Sequence, residues 1–359
     1  MMPPSVLFCL PHPAYGGAER LVATLMHDLT DHNIVCRLAC LSHNSAVPTS
    51  LHEWFSPFFE TFALDDVSSS YEALWQIITA HDVSTLIICG LSPVFQLLPQ
   101  IKAARPDLRI VSFQFNALEC IAENRTYCAW IDLCIVESME AARALSAGCE
   151  HRLPFVVISS AVDVQAICAI QSRTVRSSRI CVGFIGRYDA AKNPDGFVRM
   201  AAMVADYDLR LVMAGSGQKF SKTQRLIRQL GLLDRIEQKG LLSDHRLHSM
   251  LDEIDILVVP SIIDGRPLMI QEAQARRIAV VASRVGGIPE LVEDHVTGLL
   301  CAPDDAAALA AAVVRLAVDE EERCRLTEAA FQRVCREGDI RDVLPKYRSA
   351  LLGEEIIAS

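Results

Sequence analysis

Short apolar runs alternate along the chain with segments whose apolar positions recur every three or four residues. VLFCL (6–10) leads through a Gly-rich turn into an amphipathic pattern over Ala18–Leu29. IVCRLACL (34–41), a helical pattern near Tyr71–Ala80 and TLIICG (85–90) follow. Next come a helix near Val94–Ala104, LRIVSF (108–113), DLCIVES (132–138), a helix near Met139–Ser146 and FVVIS (155–159). Asp163–Ser178 loses the strand pattern and carries Arg173 and Arg176 among polar residues, which predicts a short helix and linker. The alternation then restarts with RICVGFIGR (179–187), LRLVMAGSG (209–217), RIEQKG (235–240), IDILVVPS (254–261), IAVVAS (278–283) and GLLCAP (298–303). An amphipathic helix over Asp339–Ile357 ends the chain. Strands alternating with helices predict an α/β fold of doubly wound parallel sheets. The break near 165 predicts two such Rossmann-like domains, 1–165 and 166–338, with 339–359 as a helix packing back on the first.

Composition agrees with two globular domains. The 359 residues are 51% hydrophobic and 22% charged, enough apolar material for two cores. No 18-residue apolar run suggests a membrane span. The opening MMPPSVLFCLPHP reads as a first strand rather than a signal peptide. Of the net charge of −10, nearly all lies in residues 1–163, with 17 acidic against 8 basic side chains. That balance argues against nucleic acid as a partner and limits membrane contact to a peripheral one. Lys102, Arg105 and Arg109 read as a solvated helix end. The 13 cysteines form no C-x-x-C pair. Cys9, Cys36, Cys89, Cys134 and Cys181 fall in strand-like runs, as buried thiols of a cytoplasmic protein would.

Candidate chemistry clusters where strands end. In open α/β sheets, ligands bind beyond the carboxyl ends of the strands. Gly16-Gly17 follows the first strand and opens a helix, so it is either a phosphate-approaching loop or a plain tight turn. Gly186-Arg187 closes the first strand of the second domain, and Lys192 stands just before the helix start Asn193-Pro194-Asp195. Two cations beside a helix start suit a diphosphate; solvated surface charge is the alternative. Ala214-Gly215-Ser216-Gly217 reads as a backbone turn. In PSIIDGRPLMIQEAQA (260–275), Asp264 and Glu272 are eight residues apart around a helix opened by Pro267. Both carboxylates then address one ligand, with amides of Gly265, Arg266, Leu268, Met269 and Ile270 between them. Otherwise Asp264 caps the helix and Glu272 is solvated. Val285-Gly286-Gly287 adds another glycine pair on the same edge.

In this order, GGAER, FIGRYDAAKNPDG, LVMAGSG, DILVVPSIIDGRPLMIQEAQA and VGGIPELVEDHVTGLL resemble the retaining glycosyltransferases of family 4, which have the GT-B fold. The resemblance spans nearly the whole chain, is strongest over 180–302 and is weaker between 42 and 130. It implies a retaining transferase that moves a sugar from a UDP- or GDP-linked donor to a saccharide or lipid-linked acceptor, as in bacterial surface polysaccharide or glycolipid synthesis. No metal or other cofactor is implied. Arg187 and Lys192 match the donor-diphosphate pair. Glu272 matches the acid that grips the ribose, and Asp264 the acid that contacts the transferred sugar. Gly16 and Gly17 match the first-domain loop that reaches phosphate or acceptor.

The chain departs from the family in several places. Asp264 replaces the usual Glu and is about 1.5 Å shorter in reach. Arg277 and Ala279 stand where Gly and Pro are common. Ser160-Ala161 replaces Asn-Gly. Gln114 and Asn116 stand near the place of a first-domain His, for which His12 is a substitute or a plain loop residue. These departures keep open a catalytically degenerate sugar-nucleotide-binding subunit. A GT-B nucleotide-sugar epimerase is the other alternative.

Overall fold

The structure, a computed structural model, describes residues 3–11, 16–41, 55, 60–64, 67–147, 153–170 and 179–355. Tyr15, His12 and the linker residues Arg173 and Arg176 lie outside them. The chain forms two compact units. One comprises 1–160 with 341–359, and the other 161–340.

The first unit is a seven-stranded parallel sheet in the order β3-β2-β1-β4-β5-β6-β7. Its strands are β1 Ser5–Leu10, β2 Val35–Leu41, β3 Glu60–Leu64, β4 Thr85–Ile88, β5 Arg109–Gln114, β6 Leu133–Val136 and β7 Phe155–Val157. Apolar runs such as VLFCL are buried throughout because helices cover both faces of a parallel sheet. The edge strand β3 was not predicted. ETFAL is five residues long, opens on Glu60-Thr61 and lacks the apolar run of an inner strand. The last helix, Ile340–Leu352, belongs to this unit from Arg341 onward. The Tyr347 hydroxyl donates to the Ile158 carbonyl at 2.9 Å, and its ring stacks on Phe113. Arg348 pairs with Asp28 at 3.0 Å, and Arg109 donates to the Ala350 carbonyl. Lys102 and Arg105 each meet an aspartate at 2.9 Å, so none of the three cations forms a free basic patch.

The second unit is a six-stranded parallel sheet in the order β10-β9-β8-β11-β12-β13. Its strands are β8 Ile180–Ile185, β9 Leu209–Ala214, β10 Ile236–Gln238, β11 Ile256–Val259, β12 Ala279–Ser283 and β13 Leu299–Cys301. Two apolar layers flank it, one around Phe184, Phe197 and Val281, the other around Leu257, Ile270 and Val280. The predicted short helix is Val164–Ile170; Val164 and Ile167 pack with Leu268, Ala275 and Val334. In both units the strand order reverses beside the first strand, at β1/β4 and β8/β11. Such reversals open a crevice at the carboxyl edge. Among the described residues, no helix is long and apolar enough to cross a membrane.

Candidate active site

In the second unit, β8 and β11 are neighbours across the reversal, so their carboxyl-end loops lie side by side. Backbone bonds knit them together. The Ala191 carbonyl accepts from the Ile262 amide at 2.7 Å and from Ile263 at 3.3 Å. Asn193, held at φ 50°, caps the Gly196 amide and donates to the Pro260 carbonyl at 3.2 Å. This stitching brings Lys192 and Asp264, 72 positions apart in the chain, into an ion pair. Lys192 Nζ is 2.7 Å from both Asp264 oxygens. Asp264 is only 8% exposed and accepts a further bond from Ser261 Oγ at 2.9 Å.

Arg187 is held differently. Its Nε donates to Asp189 Oδ2 at 2.9 Å, while Asp189 Oδ1 accepts from the Lys192 amide at 2.8 Å. Burial alone would raise the Asp189 pKa. The Lys192 amide and the Arg187 guanidinium outweigh it and hold the carboxyl below its usual range. One carboxylate thus orients both candidate phosphate cations. Sequence reasoning passed over Asp189, although an aspartate accepting from an amide three residues on is a common local turn. Ser261 left no sequence signal.

The loop after β11 leads into the helix Leu268–Ala275, which buries Glu272 to 1% exposure. Asp264 does not cap this helix. The cap position is Pro267, and no side chain bonds there. The alternative of a capping Asp264 and a solvated Glu272 is therefore excluded. The amides of Leu268 and Met269 open the helix, where intrahelical bonding leaves N–H groups available. Ile270 is a correction to the expected set. Its amide donates to the Pro267 carbonyl at 3.0 Å and is not free for a ligand. Arg266 pairs with Glu290 at 3.2 Å, tying the Asp264–Pro267 loop to the Gly286-Gly287 loop. A Cβ on Gly287 would fall 2.5 Å from the Gly265 carbonyl oxygen, so these loops touch through backbone.

The GSG turn after β9 serves the same edge structurally. Tyr188 donates its amide to the Ser216 carbonyl at 2.8 Å, and its own carbonyl accepts from Lys219 at 2.7 Å. In the first unit, Gly16 is extended at φ −157° and precedes the helix Gly17–Asp31. Any residue adopts that φ, so the glycine there supplies the lack of a side chain rather than backbone freedom. Gln114 donates to the Asn116 and Glu119 carbonyls and accepts from Asn124. The Asn116 side-chain oxygen accepts from the Leu118 and Glu119 amides. Both residues build the loop after β5 rather than present free polar groups.

Arg277 stands at φ 55°, the left-handed region that favours glycine. Its guanidinium lies 3.5 Å from the Phe331 ring centre and its Nε 2.8 Å from Glu328. Arg277→Ala keeps the strained φ and loses those contacts, whereas Arg277→Gly relieves the strain. Urea unfolding is expected to place the Ala variant about 1 kcal/mol below the Gly variant. The reverse order would show that the φ strain is negligible here.

Residues 169–333 match the family described as glycosyl transferases group 1. The alpha-D-kanosaminyltransferase of Streptomyces kanamyceticus is 30% identical over 185 residues, covering 50% of this chain and 48% of that protein. The D-inositol 3-phosphate glycosyltransferase of Corynebacterium diphtheriae is 30% identical over 193 residues, covering 49% and 45%. The chain thus spans about half the length of these relatives. Over the full fold, Anabaena HepE, solved with UDP and glucose, superposes with a TM-score of 0.79 at 19% identity, covering 97% of this chain and 99% of that one. The sucrose-phosphate synthase of Thermosynechococcus elongatus gives 0.80 at 19%, covering 98% and 100%. These likenesses establish the GT-B fold. The stretch that matches the glycosyl transferases group 1 family, residues 169–333, contains the switch-point loops described above.

Proposed function

We propose that the protein is a retaining glycosyltransferase that takes its sugar from a nucleoside-diphosphate sugar bound at the β8/β11 edge. The observation that carries this reading is the Lys192–Asp264 ion pair at the loop that leads into the helix burying Glu272. Glu272 suits the ribose hydroxyls, since a buried carboxylate accepts bonds from a diol. Arg187, Lys192 and the amides of Leu268 and Met269 suit the diphosphate. Breaking the sugar–phosphate bond leaves a nucleoside diphosphate with added negative charge. Fixed cations and helix-start N–H groups stabilise that charge as it develops. The leaving phosphate takes the acceptor's proton on the same face, which gives retention without a dedicated protein base. The acceptor is a saccharide or a lipid-linked saccharide, and membrane contact is peripheral.

A thermal-shift panel of UDP, GDP, ADP and their sugar conjugates tests this reading. A ligand at 100 times its Kd adds about 2.7 kcal/mol of stability. One nucleotide family is expected to raise Tm, and Arg187→Ala to lose the rise. No shift with any of them would remove the donor site. Binding without sugar transfer or donor hydrolysis would instead support a non-catalytic subunit.

A further inference from the structure

We infer that Asp264 is the internal counter-ion of Lys192, competing with the diphosphate for its ammonium and thereby promoting release of the nucleoside diphosphate product. This rests on the donor-site reading above and changes the role expected for this acid. The family resemblance gives Asp264 a contact to the transferred sugar. The geometry places its carboxylate on Lys192 and Ser261.

Both Asp264 oxygens lie 2.7 Å from Lys192 Nζ, and Oδ2 also accepts from Ser261. A carboxylate offers about four acceptor sites, and three contacts already fall on this one. Ser261 is itself 1% exposed, so its hydroxyl fixes the carboxylate from the protein side. The shorter Asp, placed three residues after Ser261, lets one loop supply both the anchor and the acid.

A diphosphate drawn to Lys192 meets this fixed negative charge. Lys192 has three N–H donors and serves both anions while the sugar–phosphate bond breaks. After transfer the nucleoside diphosphate carries more charge, and like-charge repulsion from Asp264 grows with it. The ammonium then passes back to Asp264 as the product leaves. Arg187 has a parallel counter-ion in Asp189, but that carboxylate is also committed to the Lys192 amide.

The test is calorimetric binding of UDP, GDP and ADP, with UMP, GMP and AMP as controls lacking the second phosphate. Asp264→Asn keeps the shape and removes the charge. It is expected to tighten the diphosphate that the wild type binds by about three- to tenfold, and to leave the matching monophosphate unchanged. Unchanged monophosphate binding also reports that the variant is folded. The tightening is expected to shrink by at least half between Lys192→Met and Lys192→Met/Asp264→Asn. Unchanged diphosphate affinity in Asp264→Asn would return Asp264 to a sugar contact and overturn the inference. Weaker affinity would make it a simple anchor for Lys192 and overturn it equally. Undiminished tightening without Lys192 would leave repulsion alone, with no competition for the ammonium, and overturn the inference. If none of UDP, GDP and ADP binds the wild type, the donor reading fails and this inference with it.

Discussion

Lys192→Met is expected to lower kcat/KM for sugar transfer by about 100- to 1,000-fold, the usual cost of removing one preorganised group that stabilises transition-state charge. kcat should fall along with kcat/KM, because the leaving diphosphate carries more charge in the transition state than in the bound donor. Lys192 reaches its position through three restraints. Its amide bonds Asp189, its ammonium bonds Asp264, and Ala191 before it holds the β11 loop. Methionine keeps much of the stem and loses the charge. It also leaves the Asp264 carboxylate buried with Ser261 as its remaining side-chain partner, at a cost of roughly 1–3 kcal/mol in stability. Lys192→Met/Asp264→Asn removes that burden and should recover the thermal stability without recovering transfer. Steady-state kinetics and melting of both variants separate the two effects. A single variant that keeps near wild-type kcat/KM would take Lys192 out of the chemistry.

Gly215→Ala is expected to cost about 3 kcal/mol or more and to abolish donor binding. Gly215 sits at φ 131°, a region almost closed to L side chains. A Cβ there would lie 1.8 Å from the Gly186 carbonyl oxygen, which is backbone and cannot rotate away. The Gly215 amide is pinned to the Gly240 carbonyl at 2.7 Å, so the turn cannot simply retreat. Any relief must therefore move Gly186, and Arg187 follows it. Gly231 supplies the contrast. It has φ 69° and open space around its missing Cβ, so Gly231→Ala meets only the conformational penalty, about 1 kcal/mol. Chemical unfolding of the two variants, with nucleotide binding, checks the argument. Equal costs would mean that the close approach to Gly186 carries no energy.

Much of this organisation was legible in the chain itself. Apolar runs spaced by helical periodicity located the inner strands of both sheets, because a strand buried on both faces is apolar at nearly every position. The edge strand β3 escaped because an edge needs less burial and ETFAL carries less of the pattern. Strand ends were read one to three residues long where glycine turns continue the apolar run, as at TLIICG, which leaves the sheet after Ile88. The spacing of Asp264 and Glu272 and the Arg187/Lys192 pair marked one carboxyl edge.

Partnerships within that edge were a different matter. That Glu272 is buried, that Ile270 spends its amide on Pro267, and that Gln114 and Asn116 brace their own loop are outcomes of packing. So is the approach of Gly287 to Gly265 and of Gly215 to Gly186. The sequence by itself determined the alternation of elements, the two-sheet class and the loops that hold the candidate site, because these follow from local periodicity and from residue types with special backbone freedom. Only the tertiary structure decided that Lys192 meets Asp264 and that Asp189 and Ser261 brace them. Those pairs join residues from loops after β8 and β11, neighbours only because the strand order reverses between them, and no local pattern records which distant loop a side chain will face.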